Sequence, residues 1–209
     1  MKLVLASNNA KKLAELQALF AGLPIELVTQ GSLGIAEADE PHHSFIENAL
    51  AKARHAARAS GLPAIADDSG LCVAALGGAP GVQSAHFAGE VAAEGEREAR
   101  RRAQDTANNA RLLREMDGRT ERGARFVSTL VALRHADDPE PLIASGRWEA
   151  TLLEAARGTG GFGYDPLVWI ESLGASVAEL GAEQKNALSH RALAAAQMRA
   201  LMRDAWALG

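Results

Sequence analysis

An α/β fold is predicted by two features of this sequence. Short apolar segments typical of buried strands alternate with longer segments whose apolar residues recur at helical spacing, which implies a long, mixed, partly antiparallel sheet flanked by helices. No stretch has the composition of a linker, a repeat or a low-complexity segment. We therefore expect a single domain over residues 1–209, with two lobes, and its 47% hydrophobic residues are enough for a full core.

Two strand–helix units are predicted at the start of the chain. Lys2–Ala6 is predicted as a strand and Ala10–Phe20 as a helix, with an asparagine between them as the N-cap. Ile25–Val28 is the second predicted strand. The second helix is predicted over Ser44–Ser60, because a Ser-x-x-Glu capping box starts it and a glycine follows it.

The later elements are predicted from the same patterns. In chain order they are a strand over Leu71–Leu76, a loop over Gly77–Gly81, a charged outer helix over Glu90–Arg114, a long strand over Ala124–Arg134, its antiparallel partners Leu142–Trp148 and Ala150–Leu153, and a last helix capped by Ser189. The run of arginines at positions 100–102 of the charged helix predicts a solvated face.

The segment Ala64–Gly70, AIADDSG, has the pattern of a buried strand that ends at a site. Small or apolar residues lead into two carboxylates, and Ser69-Gly70 then turns the chain. Successive side chains on a strand point to opposite faces, so we expect one of Asp67 and Asp68 to enter the site and the other to anchor the turn. These residues alone leave an alternative equally open, a turn that caps its own amides.

The junction Ser7-Asn8-Asn9 and the helical turn after it have the composition of a phosphate site. Backbone amides at a helix N-terminus attract anions, and Lys11 and Lys12 lie beside them. For this pattern alone, an Asn cap with solvated lysines and no ligand is the alternative.

The acidic loop, residues 31–43, contains carboxylates and two adjacent histidines. A solvated loop is the default interpretation, and a metal cluster is the alternative. Glu47 already belongs to a capping box, which argues against it as a metal ligand. Lys52 and Arg54, later on the same helix, are predicted to be surface residues.

The glycine loop, Gly158–Pro166, has the composition of a base-binding segment. Its glycines allow a close approach of the backbone to a ligand, and Phe162 and Tyr164 offer flat surfaces for stacking. Asp165 can accept hydrogen bonds from ring N–H groups. The alternative is a hairpin loop whose rings cover the core.

Two cationic residues begin the last helix. Ser189 is its predicted cap, which places His190 and Arg191 on the first turn, where amides attract anions. An arginine there opposes the helix dipole and so favours a ligand, whereas a structural Ser-His cap is the alternative. Lys185 precedes this turn.

Composition excludes several classes of function. The net charge of −4 argues against a long nucleic-acid partner. The apolar runs are too short to cross a membrane, and the N-terminus does not fit a signal peptide. The lone cysteine, Cys72, excludes an intramolecular disulfide and a cysteine-based zinc site, so we expect a cytoplasmic protein.

Six motifs occur in the order known from one family. They are S-x-N-x-x-K (Ser7, Asn9, Lys12), F-I-E-N-A-L-x-K-A, A-D-D-S-G-L, L-G-G-A-P-G, G-T-G-G-F-G-Y-D-P and K-x-x-x-S-H-R. Together they resemble the inosine/xanthosine triphosphate pyrophosphatase family over nearly the whole chain. The resemblance implies a Mg²⁺-dependent homodimer that hydrolyses dITP, ITP and XTP to the monophosphate and pyrophosphate, with the nucleotide site in a cleft between two lobes.

The resemblance also implies roles for individual residues. Asp68 matches the catalytic proton acceptor and metal ligand, and Glu40 matches the second metal carboxylate. The residues implied to bind the substrate are Ser7, Asn8, Asn9, Ala10, Lys11, Lys12 and Ser69 for the triphosphate, and Phe162, Gly163, Tyr164, Asp165, Lys185, His190 and Arg191 around the nucleotide and its base. Asp67 is then expected to be a supporting residue.

These residues suit the implied chemistry. Mg²⁺ is commonly held by one or two carboxylates together with phosphate oxygens and water. An aspartate is a weak base at neutral pH, so we expect Asp68 to deprotonate a water that the metal acidifies, while Lys12 and Lys185 stabilise phosphate charge. Arg191, His190 or the backbone of the glycine loop would donate to the 6-oxo group of the purine.

Two other functions remain open at this point. A related nucleotide phosphohydrolase could use the same residues on different bases. A nucleotide sensor without catalysis is the second alternative, and the presence of both Asp68 and Glu40 argues against it.

Overall fold

A computed structural model describes residues 1–92 and 95–208 of the chain. The strands are β1 (Lys2–Leu5), β2 (Glu26–Thr29), β3 (Ala64–Val73), β4 (Gly123–Leu133), β5 (Leu142–Leu152), β6 (Val168–Ile170) and β7 (Ala175–Ser176). The α-helices are α1 (Ala10–Leu19), α2 (Phe45–Ser60), α3 (Arg97–Glu115), α4 (Ala182–Leu188) and α5 (His190–Ala205). No helix among the described residues is long and apolar enough to span a membrane.

The strands form one mixed sheet in the order β2-β1-β3-β4-β5-β6-β7. β1 pairs in parallel with β2, where Lys2 lies opposite Glu26, and in parallel with β3, where Val4 lies opposite Ala64. β6 pairs antiparallel with β5 and with β7. The predicted α/β class, with a partly antiparallel sheet flanked by helices, is therefore confirmed.

The chain folds as two compact units. Unit 1 comprises Met1–Asp68, Ser128–Arg147 and Asn186–Gly209, and unit 2 comprises Ser69–Val127 and Trp148–Lys185. In unit 1 successive side chains of β1 point to opposite faces of the sheet, and both faces are buried. Leu3 and Leu5 pack with residues of α1 and α5, such as Leu16 and Met198.

The opposite face of β1 in unit 1 is covered by α2. Val4 and Ala6 pack there with the alanines of α2, among them Ala49 and Ala53. Small side chains bring this helix close to the sheet, so the residues beside the alanines on the same face of α2 also lie near the strands.

Unit 2 has its own apolar core. It contains Leu71 and Val73 of β3, Leu112 of α3 and Trp148 of β5, all at most 9% exposed.

β3 differs from its prediction. Residues 64–73 form one strand, so the chain does not turn at Ser69-Gly70, and Leu71–Leu76 is not a separate strand. Gly70 instead allows Gly81 and Ser84 to approach the strand closely, because a Cβ at this position would overlap the backbone oxygen of Gly81 and the hydroxyl of Ser84. β5 is likewise one strand over Leu142–Leu152.

The helices agree more closely with the sequence patterns. The capping of α2 by Ser44, the end of α2 at Gly61, the Asn9 cap of α1 and the Ser189 cap of α5 are all confirmed. α3 was predicted from Glu90 but begins at Arg97. Residues 93 and 94 of the predicted range lie outside the described part of the chain.

Asp138 provides a test of the fold that does not involve a functional site. Its side chain is buried and accepts hydrogen bonds from Arg134 N at 2.9 Å, Arg134 Nε at 3.2 Å and Glu140 N at 3.0 Å. Burial alone would raise the pKa of Asp138, but these hydrogen bonds lower it to about 2. A lowered pKa in the folded state stabilises the fold at every pH above the ordinary aspartate value.

We expect Asp138→Asn to lower the free energy of unfolding by about 1–2 kcal/mol at neutral pH. The difference from the native chain should shrink as the pH falls from about 4 to about 2, because the native carboxylate becomes protonated there. Urea unfolding at several pH values measures this difference, with Asp137→Asn as the matched control, since the Asp137 side chain is 89% exposed. A pH-independent difference would contradict the interpretation.

Candidate active site

The alternation of β3 sends its two aspartates to different partners within unit 1. The Asp67 carboxylate is fully buried, and its Oδ2 accepts from Arg191 Nη2 at 2.8 Å and from Arg191 Nε at 3.1 Å. Lys12 Nζ lies 3.1 Å from the same oxygen, and the Ser128 hydroxyl donates to Oδ1 at 2.8 Å. Asp67 therefore joins α1, β4 and α5 to β3.

The charges around Asp67 keep it ionised. Burial would raise the pKa of Asp67, but the Arg191 and Lys12 cations hold it far below its usual range. Arg191, 2% exposed, is also bonded to the Glu15 carboxylate of α1. These contacts are those of the supporting residue that we expected at position 67.

Asp68 lies in a second ion-pair cluster. Lys52 Nζ, from α2, donates to Asp68 Oδ1 at 2.7 Å and to Glu40 Oε2 at 2.9 Å. The same ammonium lies 3.3 Å from the backbone oxygen of Asp67. Asp68 Oδ2 is buried and has no hydrogen-bond partner among the described residues, so one carboxylate oxygen is anchored and the other is available to accept a proton.

Burial raises the pKa of Asp68 to about 6. Lys52 opposes this shift, and the nearby negative charge of Glu40 adds to it. Burial lowers the pKa of Lys52, but Asp68 and Glu40 outweigh it and raise that pKa above its usual value. Asp68 is thus mostly ionised at neutral pH and more basic than an exposed aspartate, the property that a general base needs.

The donor set around Asp68 suits a hard cation with few protein ligands. Among the described residues no group of three or more His, Cys, Asp or Glu side chains is placed to hold a metal ion. Asp68 and Glu40 offer two adjacent carboxylates, one with the unpartnered oxygen described above. A metal here would take its other ligands from substrate and water, which is the coordination that Mg²⁺ favours.

The start of α1 is organised by its cap. Asn9 Oδ1 accepts from the amides of Lys11 and Lys12 at 3.1 and 3.2 Å, and the Ser7 hydroxyl accepts from Asn9 N at 3.2 Å. The Asn cap of the alternative interpretation is therefore present, but Lys12 is not solvated, because its ammonium pairs with Asp67. Ala10 is exposed, and Asn8 is half-buried with an Oδ1 that has no hydrogen-bond partner among residues 1–92 and 95–208.

In unit 2 the glycine loop holds its residues in two ways. Asp165 Oδ2 accepts from Phe162 N at 2.9 Å and from Lys185 Nζ at 2.8 Å, and both charged residues are buried. Lys185 Nζ also lies 4.4 Å from the centre of the half-buried Phe162 ring. The structure thus brings Phe162, Asp165 and Lys185 together.

The stacking role predicted for Tyr164 is not supported by its position. The ring is 4% exposed and belongs to the core of unit 2, and its hydroxyl donates to the Ser84 backbone oxygen at 2.9 Å. Burial raises the pKa of this hydroxyl. The core-covering alternative applies to Tyr164, whereas Phe162 stays outside the core.

The remaining predicted residues lie where their motifs put them. Ser69 follows Asp68 on β3 and is half-buried, and Gly163 follows Phe162 in the glycine loop. His190 and Arg191 begin α5 and are buried. The guanidinium of Arg191 is engaged with Asp67 and Glu15, a structural role that the sequence did not reveal.

Lys52 is the site residue that the sequence interpretation missed. We predicted a surface residue, but Lys52 is 8% exposed and contacts both Asp68 and Glu40. Its helical spacing carried the signal, because Asn48, Lys52 and Ala56 recur every fourth residue on the buried face of α2.

Comparison with known proteins finds relatives that match nearly the whole chain. The Ham1 family model matches residues 3–201. The dITP/XTP pyrophosphatase of Leptothrix cholodnii is 70% identical over 100% of both chains, and that of Methylibium petroleiphilum is 69% identical over 99% of both. The solved structure of a HAM1 protein from Coxiella burnetii is 39% identical, with a TM-score of 0.87 over 97% of this chain and 98% of that one.

Neutralising each of the two neighbouring aspartates should have a different effect on stability. Asp67→Asn removes the counter-charge of buried Arg191 and Lys12, so we expect a loss of about 3 kcal/mol or more in the free energy of unfolding. Asp68→Asn removes a carboxylate that burial disfavours and keeps an oxygen for Lys52, so we expect a change within about 1 kcal/mol. Urea unfolding at pH 7 measures both, and equal losses would contradict the division of roles.

Proposed function

Because the chain belongs to the Ham1 family, we propose that it hydrolyses the non-standard purine nucleoside triphosphates dITP, ITP and XTP to the nucleoside monophosphate and pyrophosphate. One observation carries the proposal. Asp68 is a buried carboxylate with a raised pKa, one oxygen held by Lys52 and the other without a partner in the described part of the chain. The proposed hydrolysis removes deaminated purines from the nucleotide pool.

In the proposed reaction Asp68 is the general base. A water molecule adds to phosphorus, the anhydride bond between the α and β phosphates breaks, and the water proton passes to Asp68 Oδ2. Lys52 holds Oδ1 at 2.7 Å and so fixes the direction of the carboxylate. A pKa of about 6 makes the proton transfer more favourable than it would be to an exposed aspartate.

Charge balance supports a divalent cation in the proposed reaction. Around the two aspartates, four carboxylates meet three cations: Glu15, Glu40, Asp67 and Asp68 with Lys12, Lys52 and Arg191. The cluster therefore has no surplus positive charge to offer a triphosphate. Asp68 and Glu40 would hold Mg²⁺, which supplies positive charge to the phosphate oxygens when it is bound.

The triphosphate ligands are proposed as the resemblance implies. They are Ser7, Asn8, Asn9, Ala10, Lys11 and Lys12 with Ser69, to which Lys185 adds a cation. Lys12 suits this role best, because burial lowers its pKa against the attraction of Asp67, and an added anion would raise that pKa again.

Base selection is assigned to the glycine loop and the start of α5. The half-buried ring of Phe162 provides a stacking surface. His190, Arg191 or loop amides would donate to the 6-oxo group of hypoxanthine and xanthine. Adenine has a 6-amino group there, which is itself a donor and would leave the protein donor without an acceptor. The proposal includes a homodimer in the cytoplasm without a nucleic-acid partner; the net charge of −4 supports the last point.

A nucleotide panel tests the proposed activity. We expect pyrophosphate and monophosphate from dITP, ITP and XTP, much slower turnover of ATP and dGTP, and a loss of at least about 1000-fold in kcat for Asp68→Asn. Asp137→Asn, an exposed aspartate of the same unit, is the matched control. Binding of dITP without any product would favour a sensor, and comparable turnover by Asp68→Asn would refute the base.

The metal assignment has a separate test. Glu40→Gln should raise the Mg²⁺ concentration that gives half-maximal activity by about tenfold or more, since one of two proposed carboxylate ligands is lost. Asp39→Asn, the exposed neighbour in the acidic loop, should leave that concentration unchanged. Magnesium titrations of the three proteins measure it, and full activity in excess chelator would exclude the metal.

A further inference from the structure

Helix α3 presents its polar side chains to two loops of unit 2. Gln104 and Asn108 hold the segment after β3: Asn108 Nδ2 donates to the backbone oxygen of Ala85 at 3.0 Å, and Gln104 Nε2 donates to that of Gly89 at 2.8 Å. A second stripe on the same helix, Arg101, Asp105 and Asn109, has i, i+4, i+8 spacing and faces the glycine loop.

The second stripe holds both polar groups of Gly163. Gly163 N donates to Asp105 Oδ2 at 2.9 Å, and Asn109 Nδ2 donates to the Gly163 backbone oxygen at 3.0 Å. Gly163 has a φ of +62°, a left-handed conformation that needs glycine. Both hydrogen bonds therefore stabilise a backbone shape that the loop would not readily keep alone.

Phe162 lies between two fixed peptide groups as a result. Its own N–H is bound by Asp165 at 2.9 Å, and the next residue is bound by α3. The ring lies 4.4 Å from Lys185 Nζ and 5.9 Å from the Arg101 guanidinium. Unlike Tyr164, it is half-buried and is not part of the unit 2 core, so the hydrogen bonds orient a ring that core packing does not hold.

We propose that Asp105 and Asn109 are positioning residues for purine recognition, which set the glycine loop so that the Phe162 ring is presented to the base. This inference rests on the proposed function, in which Phe162 stacks on the base. Neither residue needs to touch the nucleotide. Their effect should therefore depend on the presence of a base and not on the phosphates.

Two ligands separate these contributions without turnover. Inosine monophosphate carries the base, and inorganic tripolyphosphate has only the phosphates. We expect Asp105→Ala and Asn109→Ala to weaken inosine monophosphate binding about tenfold, the effect of one lost hydrogen bond, and to leave tripolyphosphate binding within about twofold. Titration calorimetry measures both, and the KM for dITP should rise in step while kcat changes little.

Conservative variants distinguish positioning from general damage to the fold. Asp105→Asn keeps an oxygen acceptor for Gly163 N and should recover most of the affinity that Asp105→Ala loses. Asn109→Asp offers the Gly163 oxygen an acceptor instead of a donor and should not recover it. Thr106→Ala is the control on the same helix, because its exposed hydroxyl contacts the Arg102 backbone oxygen of its own helix.

The outcomes are distinguishable. Unchanged inosine monophosphate binding by both alanine variants, or an equal loss for both ligands, would overturn the positioning role while the proposed function stands. If the native chain binds neither inosine monophosphate nor dITP, the proposed function fails and this inference fails with it.

Discussion

The opposite orientation of Asp67 and Asp68 is the constraint on which the candidate site depends. Both lie on β3, and the strand pleat sends one carboxylate to Arg191 and Lys12 and the other to Lys52. Because Arg191 belongs to α5 and Lys12 to α1, the Asp67 cluster ties both helices to the strand that carries Asp68. Asp67, whose charge is fully neutralised, thereby supports Asp68, whose charge is less completely neutralised.

That difference in neutralisation follows from how Lys52 is shared. Its ammonium contacts both Asp68 and Glu40, so neither carboxylate has the full benefit of the positive charge. Burial then prevails at Asp68 and raises its pKa, whereas Glu40, with a 45% exposed side chain, keeps a lowered pKa. Removing Glu40 from the pair would leave Asp68 as a weaker base, so the acidic loop tunes the site even before a metal is considered.

Local patterns were sufficient for much of the fold. Helix caps at Asn9, Ser44 and Ser189 depend on residues next to the helix they start, and all three were predicted. The continuation of β3 through Gly70 was missed, because a glycine that admits Ser84 looks the same in sequence as a glycine in a turn. Lys52 was missed for a related reason: its partner Asp68 is 16 residues away, and the identity of a lysine does not reveal a buried counter-charge.

The polar face of α3 has a role that its sequence pattern does not reveal. Charge runs on a helix usually mean solvation, and Arg100 and Arg102 are indeed exposed. Asp105 and Asn109 instead bind Gly163, which is 58 residues from Asp105 in the chain. A solvated helix and a helix that supports a loop have the same composition, because both need polar side chains. Only the position of the loop backbone that the helix binds distinguishes the two cases. Residues that position a recognition loop can therefore lie outside every motif that identifies the family.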